Sequence, residues 1–168
     1  MKRVGTLTLL RVLRPFIKNI PPRQLRQLYR SFKNDRFHWF NNQVRINTFF
    51  PPYPSQSYDR FFRSIIERKR TPYQAYVAVT SACPYQCPHC SYGKRPPGHL
   101  SRNDLLKIIS ELKTLGTSII GFTGGEPLLS EDLEEIITAA APEMTTVLFT
   151  TGFRLDDSRA KKLLKAGI

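Results

Sequence analysis

The chain has 168 residues, 40% of them hydrophobic and 23% charged, which is enough apolar material for a packed core of about one domain. Its formal net charge of +13 is carried entirely by the front of the chain: residues 1–70 hold 16 Lys+Arg against 3 Asp+Glu, whereas residues 71–168 hold 10 of each. No apolar run approaches the ~18 residues of a membrane span, and three cysteines within eight residues are too few and too clustered for a disulfide framework.

The front is also aromatic, with 12 of the 19 aromatic residues in the first 70. Met1-Lys2-Arg3 before Val4–Leu10 has the start of a signal peptide, but Arg11 and Arg14 interrupt it and no small-residue cleavage site follows. Residues 6–20 read as a basic amphipathic helix with Leu7, Leu10 and Ile17 at helical spacing and Arg11 and Lys18 beside them. Pro15 is expected to kink or interrupt it. Pro21-Pro22 opens a second helix, with Leu25, Leu28, Tyr29 and Phe32 as its apolar stripe. The stretch 34–48 reads as irregular, with a turn at Asn41-Asn42. Phe49 to Ser55 is proline-rich and extended. A third helix over 56–69 buries Tyr58, Phe61, Phe62, Ile65 and Ile66, and Arg68-Lys69-Arg70 suits its C-terminal dipole. This basic extension, residues 1–70, reads first as a helical collar with a solvated face. An anionic membrane surface touched by residues 1–20 is the next expectation. An acidic electron donor would be steered by the same charge. Nucleic acid comes third, after the collar and the membrane surface, because no recognised nucleic-acid motif is present.

From residue 73 the pattern changes to alternating strands and helices. Strand Tyr76–Thr80 leads into Cys83-Pro-Tyr-Gln-Cys87-Pro-His-Cys90. A helix begins at Ser101, where Ser101 and Asp104 have capping-box spacing, and buries Leu105, Ile108, Ile109 and Leu112 before Gly116. Strand 118–123 ends at Gly124-Gly125-Glu126-Pro127. A helix from Ser130 to Pro142 has acidic residues in its first turn. Strand 145–150 precedes Thr150-Thr151-Gly152, and a last helix spans Asp157–Ala166. Three strand–helix units in succession predict a parallel α/β sheet with right-handed crossovers. The cysteine loop, the Gly-Gly-Glu-Pro run and the Thr-Thr-Gly run then fall together at the carboxyl ends of three strands, where such folds keep their sites.

Three soft thiolates suit iron–sulfur, zinc or Cu(I). Zinc needs a fourth ligand. His99 would complete a Cys3His set, making a basic zinc module that recognises nucleic acid or an acidic partner, and His89 lies closer still. A 4Fe–4S cluster on three cysteines would leave one iron without a protein thiolate.

Cys83, Cys87 and Cys90 resemble the CxxxCxxC signature of the radical S-adenosylmethionine (radical SAM) family, and Gly124-Gly125-Glu126-Pro127 resembles its GGEP motif. The resemblance covers residues 76–152. It implies a 4Fe–4S cluster on the three cysteines, with S-adenosylmethionine on the remaining iron. Reductive cleavage would release a deoxyadenosyl radical that takes hydrogen from a peptide or small-molecule substrate, with flavodoxin or ferredoxin as electron donor. It further implies that Gly124, Gly125, Glu126 and Pro127 bind the methionine amino group, that His89 lies near the adenine, and that Thr151 contacts the cofactor, although the family's usual Asn is replaced there. The implied fold is the first three units of a partial (β/α)6 barrel in residues 71–168. On this reading the chain is an N-terminal fragment that stops before a fourth strand, inactive alone, without the auxiliary-cluster domain of SPASM or twitch type. The expected location is the cytoplasm, with peripheral membrane contact through the basic extension.

Overall fold

The computed structural model describes residues 2–90 and 100–168, leaving aside the side chains of residues 2, 3, 6, 9, 28, 31 and 32. The chain divides into two compact units, Met1–Thr71 and Pro72–Ile168.

In the first unit, β1 (Lys2–Arg3) precedes α1 (Thr6–Asn19) and α2 (Pro22–Phe32), then β2 (His38–Phe40), β3 (Gln43–Arg45) and α3 (Gln56–Ile66). The three short strands form an antiparallel sheet in the order β1-β2-β3. The segment expected to be irregular is therefore a β-hairpin. Asn41 (φ 48°) and Asn42 (φ 57°) both adopt the left-handed conformation that a two-residue hairpin turn needs. The helix α1 runs through Pro15 without a break, and Asn19 Nδ2 donates to the Pro15 carbonyl at 2.9 Å. α2 starts with Pro22 in its first turn, as expected. Ser55 caps α3 by accepting from the Tyr58 N–H at 3.0 Å, and the helix ends at Ile66, three residues short of the expectation.

The core of this unit is aromatic. Phe16, Phe50 and Tyr58 are buried, and Phe61 and Phe62 pack against them. Phe16 meets the rings of Tyr58, Phe62 and Phe50 at centroid distances of 5.0–6.4 Å. Tyr58 Oη donates to the Val12 carbonyl at 2.6 Å, and burial pushes the phenol well above its ordinary pKa. The helical faces differ from expectation in three places, the first being α3, where Ile66 at the last turn is exposed rather than buried. α1 buries Val12, Phe16 and Ile20, while Leu7, Leu10 and Ile17 point outward, 80%, 52% and 52% exposed. The helix carries two apolar arcs, and periodicity alone does not say which one meets the core. On α2, Leu25 packs inward and Tyr29 stays exposed; the Leu28 and Phe32 side chains lie outside the described residues.

The second unit is a three-stranded parallel sheet, β4 (Gln74–Thr80), β5 (Ile119–Gly124) and β6 (Thr145–Leu148), in sequential order. α4 (Arg102–Leu115) follows β4, α5 (Leu133–Ala140) follows β5, and α6 (Asp157–Ala166) follows β6. Sequential parallel strands with a helix after each are the repeating unit of a partial barrel. α4 has the expected capping box: Ser101 Oγ accepts from the Asp104 N–H at 3.2 Å and Asp104 Oδ2 accepts from the Ser101 N–H at 3.2 Å. Gly116 ends it with φ 89°, a conformation that favours glycine. α5 begins at Leu133, three residues later than expected, because Pro127–Leu129 forms a separate 3-10 turn.

Leu105 and Ile109 of α4, Leu133, Ile136, Ile137 and Ala140 of α5, and Leu163 and Ala166 of α6 pack on Val77, Val79, Ile120 and Phe122 of the sheet. This core is mostly aliphatic, with Phe122 as its one buried ring among the described residues, and it lies on one face. On the other face Tyr76 and Phe149 meet at 5.4 Å between centroids and remain half exposed. A Cβ on Gly121 would sit 2.6 Å from the Tyr76 ring, which explains why the apolar strand β5 is interrupted by glycine there.

Candidate active site at the carboxyl ends of the sheet

The root of the cysteine loop is fixed by the strand that follows it in space. β4 ends at Thr80. The Gly125 N–H donates to the Thr80 carbonyl at 2.8 Å, and the Glu126 N–H donates to the Ala82 carbonyl at 2.8 Å. Thr80 Oγ1 also accepts from the Ala82 N–H at 3.1 Å. The two glycines are required by this approach. Gly124 has φ 128°, and a Cβ there would lie 2.3 Å from the Thr80 carbonyl oxygen; one on Gly125 would lie 2.1 Å from that of Ala82. Backbone atoms cannot swing aside as side-chain ends can, so both positions exclude any side chain.

Beyond the root the loop has no regular structure. Cys83, Cys87 and Cys90 are exposed and carry no disulfide. A single turn bond, Cys90 N–H to the Cys87 carbonyl at 3.0 Å, brings the last two cysteines to neighbouring positions. Among the described residues no three His, Cys, Asp or Glu side chains are gathered as the ligand set of a metal ion. The chemistry of the donor set is what fits a cluster: three unpaired thiols on an irregular, solvent-facing loop, with no oxygen or imidazole ligand required. His89 is exposed within the loop, and His99 lies outside the described residues. Tyr85 of the loop meets Phe153, the residue after Gly152, edge to face at 6.0 Å between centroids, and the Arg154 guanidinium lies 5.0 Å from the Phe153 ring centroid.

Glu126 joins the second motif to the third. Its side chain is fully buried. Oε1 accepts from the Leu128 N–H at 3.1 Å and from Thr150 Oγ1. Oε2 accepts from the Thr151 N–H at 2.9 Å and from Thr151 Oγ1 at 2.6 Å. Four donors fill the roughly four acceptor positions of a carboxylate. Burial opposes ionisation, but the bonds from Thr150, Thr151 and Leu128 outweigh it and hold the carboxyl below its ordinary pKa. Within the chain the Glu126 carboxylate is therefore taken up by the second and third motifs. Thr151 likewise spends its hydroxyl and its N–H on Glu126. Pro127 is buried at the start of the 3-10 turn. Thr150 joins the site through Glu126; the sequence signal for it is a Thr-Thr-Gly run at one strand end opposite an acidic residue at the previous strand end.

Three strand ends therefore meet as one hydrogen-bonded rim, carrying three free cysteines on the first strand's loop and a Gly-Gly-Glu-Pro turn on the second. A sequence profile described as the radical SAM superfamily matches residues 77–168. The chain belongs to the radical SAM superfamily. That family's cofactors are a 4Fe–4S cluster and S-adenosylmethionine. Over 94 residues, 54% of this chain, it is 38% identical to the PqqA peptide cyclase of Granulibacter bethesdensis. The matched part is 25% of that enzyme, so the chain spans about a quarter of the curated relative's length. Among solved structures it is similar to BtrN in complex with AdoMet and 2-DOIA, with a TM-score of 0.52 at 24% identity over 57% of this chain and 42% of that one. It is also similar to BtrN in an open conformation, with a TM-score of 0.51 at 25% identity over 57% and 46%. The profile match falls in the part of the chain that forms the parallel sheet, and it favours the cluster over the Cys3His zinc alternative.

Proposed function

We propose that residues 72–168 form the cofactor-binding half of a radical SAM enzyme that acts on a peptide. Cys83, Cys87 and Cys90 would hold the 4Fe–4S cluster. When bound, the cluster and S-adenosylmethionine supply one-electron chemistry that removes a hydrogen atom from a substrate C–H bond. The chain's own residues do the placing. Gly125 and Glu126 tie the root of the cysteine loop to β5 through their N–H groups, so the loop starts beside the Gly-Gly-Glu-Pro turn. Backbone carbonyls of that turn would accept from the methionine ammonium. Glu126 acts behind them as a positioning residue, holding Thr150 and Thr151 at the rim. His89, exposed beside Cys90, would stack near the adenine.

The observation that carries this reading is the pair of 2.8 Å bonds between the cysteine-loop root and the Gly-Gly-Glu-Pro turn. The peptide substrate rests on likeness to PqqA peptide cyclase. The electron would come from flavodoxin or ferredoxin, acidic proteins attracted by the basic first unit. Among the described residues no helix is long and apolar enough to cross a membrane. We read the protein as cytoplasmic, with the outward arc of α1 touching an anionic bilayer. The test is anaerobic reconstitution with iron and sulfide, scored for bound iron, bound sulfide and binding of S-adenosylmethionine. The wild-type chain is expected to hold about four irons per chain. Cys87→Ala is expected to lose the cluster and cofactor binding together while keeping its helical circular dichroism. One bound zinc in place of iron would overturn the proposal.

A further inference from the structure

The first unit contains a cavity of about 710 Å3, within the ~300–1,000 Å3 of typical small-molecule sites. Leu13 and Ile17 of α1 and Leu25 and Tyr29 of α2 form its walls, and Phe16 and Phe50 lie at its floor. Three ionisable side chains line it, Arg26, Lys33 and Asp35. Asp35 Oδ2 already accepts from Asn47 Nδ2 at 2.9 Å, and two cations against one acid leave the lining net positive. Ile17 and Tyr29 are 52% and 70% exposed, so an apolar wall stands open to water.

A second feature adjoins this one. At 100° per residue, Leu7, Leu10, Arg11, Arg14, Ile17 and Lys18 share an outward arc of about 120° on α1. All six are exposed. Leu7, Leu10 and Ile17 on this arc offer apolar side chains to a bilayer interface, and the long side chains of Arg11, Arg14 and Lys18 among them can reach back to an anionic head-group layer. Ile17 belongs to both the arc and the cavity wall, so the arc runs into the cavity's edge.

We infer that this groove receives one acyl chain of an anionic phospholipid, with Arg26 and Lys33 at the head group, while α1 lies in the interface. The inference rests on the membrane-facing reading of the first unit and adds a defined lipid site to it. An extended peptide would need partners for its backbone N–H and C=O groups along the walls, and the walls formed by Leu13, Ile17 and Leu25 offer none. An acyl chain needs none.

The test uses the full chain, co-sedimented with phosphatidylcholine vesicles with and without phosphatidylglycerol, and titrated with dansyl-undecanoic acid as a monomeric acyl probe. Wild type is expected to bind the anionic vesicles, to ignore the neutral ones and to bind the probe. Leu25→Trp, which fills the groove, and Arg26→Glu, which reverses its rim without touching the core, should each weaken both kinds of binding about tenfold. Leu7→Asn with Leu10→Asn should weaken vesicle binding alone. If Leu25→Trp unfolds, Arg26→Glu decides. Groove variants that bind vesicles like wild type, alongside a weakened Leu7/Leu10 variant, would overturn the lipid site and leave the membrane reading standing. Indifference of wild type to anionic vesicles would overturn both, even if the free probe binds.

Discussion

The two units solve the burial problem with different materials. The first packs rings: Phe16, Phe50, Tyr58, Phe61 and Phe62 interlock at the centre of a small helical unit with a three-stranded antiparallel sheet of only two or three residues per strand. The second packs mainly aliphatic side chains, with the single ring of Phe122, between one face of a parallel sheet and three helices. Large rings bury much area from few positions, which lets a short segment hold a core while spending its remaining residues on charge. Aliphatic side chains at period two and period 3.6 fill a regular layer without gaps. The difference teaches that regularity goes where a site must be held, and the irregular unit keeps the open groove.

If the two cores are independent, damage to one should leave the other intact. Phe16→Ala removes the ring at the centre of the aromatic cluster and should cost about 3–5 kcal/mol. The first unit is expected to lose its near-ultraviolet circular dichroism while the amide exchange protection of β4–β6 stays unchanged. Simultaneous loss of both would break the comparison. Gly125→Ala probes the second unit at its most crowded backbone contact. A Cβ 2.1 Å from the Ala82 carbonyl oxygen forces the cysteine loop away from β5, at about 3 kcal/mol. Thermal melting should register that cost, with iron binding lost even though every thiol remains.

Glu126→Gln sharpens the contrast through pH. The folded carboxyl titrates below its unfolded value, so its stabilisation is full above the unfolded pKa of about 4.3 and is lost as pH falls through the folded value. The variant replaces one acceptor oxygen by a donor facing the Thr150 or Thr151 donors and should cost about 1–3 kcal/mol at pH 7. It should also show a flatter stability profile than wild type in the acid range, measured by urea unfolding. The smallest effect is expected from Ser101→Ala, which removes the α4 cap and should lower stability by about 1 kcal/mol, detectable as a shift in the second unit's denaturation midpoint alone.

Much of the second unit was legible because its signals are local. Ser101 and Asp104 are three residues apart, Gly116 stands one residue past its helix, and the second and third βα units each fit within thirty residues. The cysteines and the Gly-Gly-Glu-Pro run were legible as motifs for the same reason. The partnership of Glu126 with Thr150 and Thr151 was not, because it spans two dozen residues and depends on β5 and β6 lying side by side. In the first unit the hairpin at 38–45 escaped notice because strands of three residues carry too little alternation to stand out. Its Asn41-Asn42 turn was the better clue. α1 was placed correctly but with the wrong face inward, since Leu7, Leu10 and Ile17 keep helical spacing as well as Val12, Phe16 and Ile20 do. Composition cannot say which of two apolar arcs has a neighbour.

The Glu126 carboxylate also imposes an order of events. Its backbone N–H finds Ala82, which precedes it in the chain, but three of the four donors to its side chain belong to Thr150 and Thr151, which come later. A growing chain can therefore set the root of the cysteine loop against β5 as soon as that strand exists. The rim stays unfinished, with an unsatisfied acid awaiting burial, until β6 emerges and docks. Loop closure of this length is slow compared with the local turns around it. Of the contacts that join the three strand ends, the last to form is then the one that completes the rim, after the root of the cysteine loop is already set.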